Sequence, residues 1–274
     1  MINSYYKMVV LDLDGTLYND FNEITEYTKS IIQELLRKGI RFAIATGRNY
    51  EGASDAIRKL KLQDYDGNYV ITYNGLQIYS GKKQLLYTGR MLCANELCKI
   101  YDVGKSQGMK MVFFTGENNY VENTYYTKDK IEDIEEFLSE LHELKIDSLS
   151  QMTAYKVAYL HHKRVFQEVL SELKEQLIDY QVFHTKDNWV EIMAKGIGKE
   201  IALSRISELS KVNMENIIAF GDGENDNRML KSVGLGIAMA NASESTKKHS
   251  DKICLSNNED GVGYALLDVF KEVL

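Results

Sequence analysis

The chain has 274 residues, 44% of them apolar and 27% charged, with a net charge of −7. This is the make-up of an ordinary soluble globular protein, and it lacks the basic surface that non-specific binding to nucleic acid or to an anionic membrane requires. It has no run of about 18 apolar residues to serve as a membrane span. Three cysteines, Cys93, Cys98 and Cys254, make no paired framework, which points to reduced thiols in the cytoplasm. MINSYYK has no basic region followed by an apolar stretch, so no secretory leader is expected. Proline is absent, and no functional reading attaches to that. In chain order, Met8–Leu11 is a continuous apolar run and reads as a buried strand. Residues 25–38 form a helix with Ile31, Ile32, Leu35 and Leu36 on one face and Gly39 as its stop. Ile40–Ala45 is the next strand and 50–61 the next helix. After about residue 188 the same alternation resumes. It gives helix 199–210, strand Ile217–Phe220, helix 225–231, strand Gly234–Ala238 and a last helix near 260–271. Strands alternating with helices imply a parallel sheet covered on both faces.

Between these stretches the text changes. Asn74-Gly75 and Ser80-Gly81 are turn signals. Beyond them come helical stretches at 92–107, 129–143 and 163–178, and strand-like runs at Lys110–Phe114, Tyr155–Leu160 and Gln181–Phe183. The expected organisation is an α/β core of residues 1–82 and 188–274, with an α+β module of residues 83–187 inserted into it.

Four constellations carry chemistry. Asp12-Leu13-Asp14-Gly15-Thr16 closes the first strand, where open α/β sheets bind ligands. Asp12 and Asp14 share a strand face, and two close carboxylates need a cation or a shared proton. A hard cation such as Mg²⁺ is the natural partner. A calcium loop of the EF-hand type is excluded, because its sixth position needs glycine and is Leu17 here. Ala45-Thr46-Gly47-Arg48 closes another strand with a hydroxyl, a glycine N–H and a guanidinium, groups that bind phosphate oxygens. Lys195-Gly196-Ile197-Gly198-Lys199 opens a helix, and a lysine there can neutralise both the carboxylates and a phosphate. Gly221-Asp222-Gly223-Glu224-Asn225-Asp226 follows a further strand and repeats the crowding of acids.

The order of these phrases resembles the four motifs of the haloacid dehalogenase (HAD) superfamily. The resemblance is closest to its Cof-like branch, which carries a C2B-type cap. It covers DLDGTL at Asp12–Leu17, ATGR around Thr46, ITYNG at Ile71–Gly75, EIMxKGxxK at Glu191–Lys199, GDGEND at Gly221–Asp226 and NNEDGVG at Asn257–Gly263. It implies a Rossmann-like parallel-sheet core with an inserted cap and a Mg²⁺-dependent phosphatase that acts through an aspartyl-phosphate. By this resemblance Asp12 is the nucleophile and a metal ligand. Asp14 is the general acid and base, with its carbonyl on the metal. Thr46, with Gly47, binds phosphate, and Lys199 stabilises the aspartyl-phosphate. Asp222 is a metal ligand that Asp226 supports, and Asn225 contacts phosphate. Arg48 and Asn74 lie where the branch presents polar groups to phosphate or substrate. The implied substrate is a small phosphorylated metabolite, a sugar phosphate or a phosphorylated cofactor. A phosphomutase is the alternative, and completeness of the four motifs argues against a catalytically silent protein. The sequence departs from the branch at Asn49 and Ala194, where proline is common. Both read as loop-stiffening positions.

Overall fold

A computed structural model of the protein describes residues 5–116, 118–121, 141–160, 163–186 and 189–274. In chain order it opens with β1 (Met8–Leu11), α1 (Glu26–Arg37), β2 (Arg41–Ala45), α2 (Tyr50–Leu60), β3 (Tyr69–Thr72), β4 (Gln77–Ser80) and β5 (Leu85–Thr88). There follow α3 (Ala94–Ser106), β6 (Lys110–Phe114), β7 (Asn119–Val121), β8 (Leu141–Glu143), β9 (Lys156–Leu160), α4 (Lys163–Gln176), β10 (Tyr180–Lys186) and β11 (Trp189–Ala194). Then come α5 (Lys199–Ser210), β12 (Ile217–Gly221), α6 (Asn227–Ser232), β13 (Leu235–Ala238), α7 (Glu244–Lys248), β14 (Lys252–Ile253) and α8 (Gly261–Val269). These elements make two compact units, one of Met1–Gly89 with Ile197–Leu274, the other of Arg90–Gly196.

In the first unit the described residues form one sheet in the order β14-β13-β12-β1-β2-β3-β4-β5. It is parallel from β14 to β3 and antiparallel from β3 to β5. Every residue of β1 is buried, as an interior strand of a parallel sheet must be. From β1 the chain builds outward to β2 and β3. It returns later on the other side with β12, whose Ile217–Phe220 register against Met8–Leu11. The strand order therefore reverses at β1, and the crevice beyond the strand ends there is where such sheets take ligands. α1 forms because Thr25 caps it, accepting from the Thr28 N–H, and because Ile31, Ile32, Leu35 and Leu36 make one buried face. Asn49, read from sequence as a loop-stiffening position, is the N-cap of α2 and accepts from the Gly52 N–H at 2.8 Å. An asparagine cap can thus do locally what a proline would do by restricting the backbone.

The second unit holds a sheet whose described strands run β10-β11-β9-β6-β7-β8, antiparallel except between β7 and β8. α3 packs closely on it. A Cβ at Gly104 would come 2.6 Å from the Met111 sulfur and 2.9 Å from the Tyr159 ring. Lys156 on β9 and Glu191 on β11 form a buried ion pair, with the Trp189 Nε1–H donating to the same carboxylate at 3.2 Å. The helix expected over 129–143 lies outside the described residues up to 140, and Leu141–Glu143 is a strand. Among the described residues no helix is long and apolar enough to cross a membrane.

The division between units differs from the 82/83 and 187/188 boundaries expected from sequence. β5, placed in the insertion, pairs with β4, and the Arg205 guanidinium stacks 4.1 Å over the Tyr87 ring. β11, placed in the core, pairs with β9 and β10. The junctions therefore fall at Gly89/Arg90 and Gly196/Ile197.

Candidate active site

Beyond β1 the chain turns sharply. The Tyr18 N–H donates to the Leu13 carbonyl at 2.8 Å, which closes a loop over residues 13–18. Gly15 sits at its tip with φ +75°, and a Cβ there would lie 2.4 Å from Asp222 Oδ2. Only glycine meets both demands without strain. The approach brings the loop against the end of β12, where the Thr16 hydroxyl donates to Asp222 Oδ1 at 2.7 Å. Gly15→Ala displaces the Asp222 carboxylate and is expected to lower kcat about 100-fold while the protein stays folded, by analogy with loss of one transition-state contact. Activity at the wild-type level with unchanged cation affinity in a calorimetric titration contradicts this placement.

Asp12 and Asp226 are held by one cation. The Lys199 ammonium, fully buried at the start of α5, donates to Asp12 Oδ1 at 2.5 Å and to Asp226 Oδ1 at 2.7 Å. The other oxygen of Asp226 accepts from the N–H groups of Asp222 and Gly223, both at 3.1 Å. Asp226 is thereby held by three protein donors. Among the described residues Asp12 Oδ2 and Asp222 Oδ2 carry no such donor. One ligand oxygen from each of Asp12, Asp222 and Asp226 can be chosen so that all three lie within 4.8 Å of one another. This all-oxygen, anionic set fits a hard divalent cation.

The second motif arrives from β2. The buried Thr46 hydroxyl accepts from the Arg48 N–H at 3.1 Å. The Arg48 side chain turns to Asp14: its Nε–H donates to Oδ2 at 2.9 Å and its Nη2 to Oδ1. The same guanidinium lies 5.5 Å from the Tyr18 ring centre. The Asn74 N–H donates to the Thr46 carbonyl at 3.0 Å, and its side-chain oxygen accepts from Asn225 Nδ2 at 3.0 Å. Gly47 lies against that same Asn74 amide, which a Cβ would approach to 3.3 Å. Thus Asp12, Lys199, Asp222 and Asp226 form one cluster, Asp14 pairs with Arg48, and Thr46, Gly47, Asn74 and Asn225 form a polar chain. Two contributors were not singled out from sequence. The Thr16 hydroxyl lay unremarked inside DLDGTL, and Asn241, whose Nδ2 donates to the Gly15 carbonyl at 2.8 Å, gave no signal at all.

Burial pushes Asp12 well above the usual carboxylate range, against the pull of Lys199 and with added repulsion from Asp226, Asp222 and Asp14. Burial, then repulsion from Asp226, raises Asp222 to about 7, against the hydrogen bond from Thr16. Burial alone would discharge Lys199, but Asp12 and Asp226 outweigh it and hold the ammonium protonated. The crowding has a consequence for stability. In chelated protein Asp222 binds its proton more tightly folded, ionising near 7, than unfolded, near about 4. Its contribution is then fully favourable below about pH 4 and is lost as pH rises through about 7. A divalent cation bound to the ionised acids opposes that loss. Melting temperature measured from pH 5 to 8 should fall with pH in chelator and fall much less with the cation present. Parallel curves under the two conditions contradict the placement of the cation among these acids.

The haloacid dehalogenase-like hydrolase family matches residues 9–266 of the chain. The 5-amino-6-(5-phospho-D-ribitylamino)uracil phosphatase YcsE of Bacillus subtilis is 29% identical over 260 residues, covering 95% of this chain and 94% of that protein. A second B. subtilis phosphatase named for the same compound, YitU, is 27% identical over 272 residues, covering 96% and 97%. The crystal structure of a haloacid dehalogenase-like hydrolase from Bacteroides thetaiotaomicron superposes with a TM-score of 0.80 at 30% identity, over 97% of this chain and all of that one. The match to the family runs from β1 into α8 and so takes in every strand end that bears a site residue. The chain belongs to the haloacid dehalogenase-like hydrolase family and is a phosphatase within it.

Proposed function

We propose that this phosphatase is Mg²⁺-dependent and hydrolyses small phosphorylated metabolites, sugar phosphates or phosphorylated cofactors, through an aspartyl-phosphate on Asp12. The observation that carries the reading is the convergence of Asp12, Asp222, Asp226 and Lys199 at the ends of β1 and β12. The names of YcsE and YitU support a small phosphorylated metabolite as substrate.

Asp12, Asp222 and the Asp14 carbonyl would hold Mg²⁺, with Asp226 behind them. When bound, the ion supplies positive charge against the phosphoryl oxygens. The protein groups do the rest. Asp12 Oδ2, which bears no protein donor, attacks phosphorus, and the bond to the ester oxygen breaks. Asp14 protonates that oxygen and then takes a proton from the water that cleaves the aspartyl-phosphate. Lys199 neutralises charge on Asp12 and on the phosphoryl group, while Thr46, the Gly47 N–H and Asn225 bind its equatorial oxygens. Asn74 orients Asn225, and Arg48 holds Asp14. The inserted unit, a cap of the C2B type, selects the leaving group, because the four motifs serve only the phosphoryl group and its metal.

A panel of phosphorylated metabolites assayed for phosphate release with Mg²⁺ tests the proposal. Release from at least one sugar phosphate or phosphorylated cofactor, abolished by chelator, is expected. Full activity in chelator, or isomerisation of a sugar bisphosphate without net release, overturns it. Alanine substitutions across residues 90–196 should shift kcat/KM ratios between the best metabolite and a minimal aryl phosphate by roughly 10- to 100-fold. Parallel loss on both substrates at every position contradicts the selecting role.

A further inference from the structure

The NNEDGVG phrase takes no part in the chemistry above, yet its first residue is tied to the loop that bears Asp14. Asn257, only 7% exposed, sends its three N–H groups to three places. Its side-chain Nδ2 donates to the Tyr18 carbonyl at 3.1 Å and to Asp20 Oδ1 at 3.0 Å. Its backbone N–H donates to Asn241 Oδ1 at 3.0 Å, and Asn241 Nδ2 in turn donates to the Gly15 carbonyl at 2.8 Å. The mount is itself anchored. Asn258 and Asp20 exchange two hydrogen bonds, Asn258 Nδ2 to Asp20 Oδ2 at 2.8 Å and the Asp20 N–H to Asn258 Oδ1 at 3.0 Å. Asp260 accepts from the Thr28 hydroxyl at 2.9 Å and from the Thr25 hydroxyl at the head of α1.

Asp14 lies between the tethered points. Tyr18 is paired with it by a β-bridge and donates its N–H to the Leu13 carbonyl, and Gly15 follows directly. The Asp14 side chain is half exposed and is directed by Arg48. Its main chain is fixed through Tyr18 and Gly15. We infer that Asn257, acting through Tyr18 and through Asn241, is a positioning residue that sets the Asp14 carboxyl for proton transfer to the leaving group. The inference rests on the acid–base role given above to Asp14. A misplaced acid matters most when the departing oxygen needs a proton. Loss of Asn257 therefore penalises an alkyl phosphate, whose alkoxide leaves poorly, and largely spares a nitrophenyl phosphate.

The test uses the full chain with Mg²⁺ and measures kcat/KM, which reports only the steps through departure of the leaving group and not the shared water step, on glycerol phosphate and on p-nitrophenyl phosphate. The variants are Asn257→Ala, Asn257→Asp, Asn241→Ala and Asp14→Asn, with the first also combined with Asp14→Asn. General acid catalysis is worth 10²–10⁴-fold, so a displaced acid should forfeit about tenfold more on the alkyl than on the aryl ester in both Asn257 variants. Asn241→Ala, at an exposed position, should lose about threefold more on the alkyl ester by the same reasoning. In the Asp14→Asn background Asn257→Ala should add no further bias. Equal losses on both esters, or no loss in Asn241→Ala when Asn257 variants do not fold, overturns the inference. If Asp14→Asn itself shows no bias against the alkyl ester, Asp14 is not the acid, and the proposed mechanism and this inference fall together.

Discussion

Asp12→Asn is expected to lower kcat on every phosphate monoester by about 10⁴-fold or more, the scale seen when a covalent nucleophile is removed. The substitution keeps the volume of the side chain and one oxygen to accept from Lys199, so the fold around β1 should survive. It also removes one of several mutually repelling buried acids, and the chelated variant should melt no lower than the chelated parent. Steady-state kinetics and a melting curve check both halves. Near-normal kcat in this variant would falsify the assignment of Asp12 as the attacking group.

Lys199→Met has the second largest expected effect, and it falls on folding as well as on catalysis. The ammonium joins Asp12 to Asp226 in a fully buried site. Removing one partner of a buried ion pair leaves uncompensated charge and typically costs about 3–5 kcal/mol. Turnover should fall about 10³-fold, because transition-state charge on the phosphoryl oxygens loses a partner. Adding Asp226→Asn to Lys199→Met removes one stranded carboxylate, so stability should recover in large part while turnover does not. Urea unfolding of the single and double variants separates the two contributions. If Lys199→Met is as stable as the parent, the acids have taken up protons in place of the lysine, and the ion-pair account of this cluster is wrong.

Much of the site was legible because its signals are local. A strand end is marked where an apolar run stops, and Asp12, Thr46 and Asp222 each follow such a run. The face of α1 was equally plain, since Ile31, Ile32, Leu35 and Leu36 recur at helical spacing and are all buried. What escaped depends on partners distant in sequence. Glu191–Ala194 reads as a buried strand in either unit, and only its pairing with β9 assigns it to the second. Leu85–Thr88 has little apolar burial to mark it, and its place is set by β4 and by Arg205 over Tyr87. Asp14 and Arg48 were both singled out, but not their pairing across 34 positions, which turns on two loops meeting beyond adjacent strands. Asn241 lies 226 positions from the carbonyl it holds, and no periodicity or motif spacing carries such a contact.

The central claim is that turnover passes through a phosphorylated Asp12. Asp14→Asn should let the first transfer proceed from an aryl phosphate, whose leaving group needs no proton, and should slow the water step that follows. Acid quenching of that variant during turnover with Mg²⁺, followed by proteolysis and mass spectrometry, is the direct measurement. The account predicts that the peptide containing Asp12 gains the mass of one HPO₃, and that the gain disappears when Asp12→Asn is added. Phosphate found on another residue, or released without any phosphorylated enzyme while the variant still turns over, would contradict it.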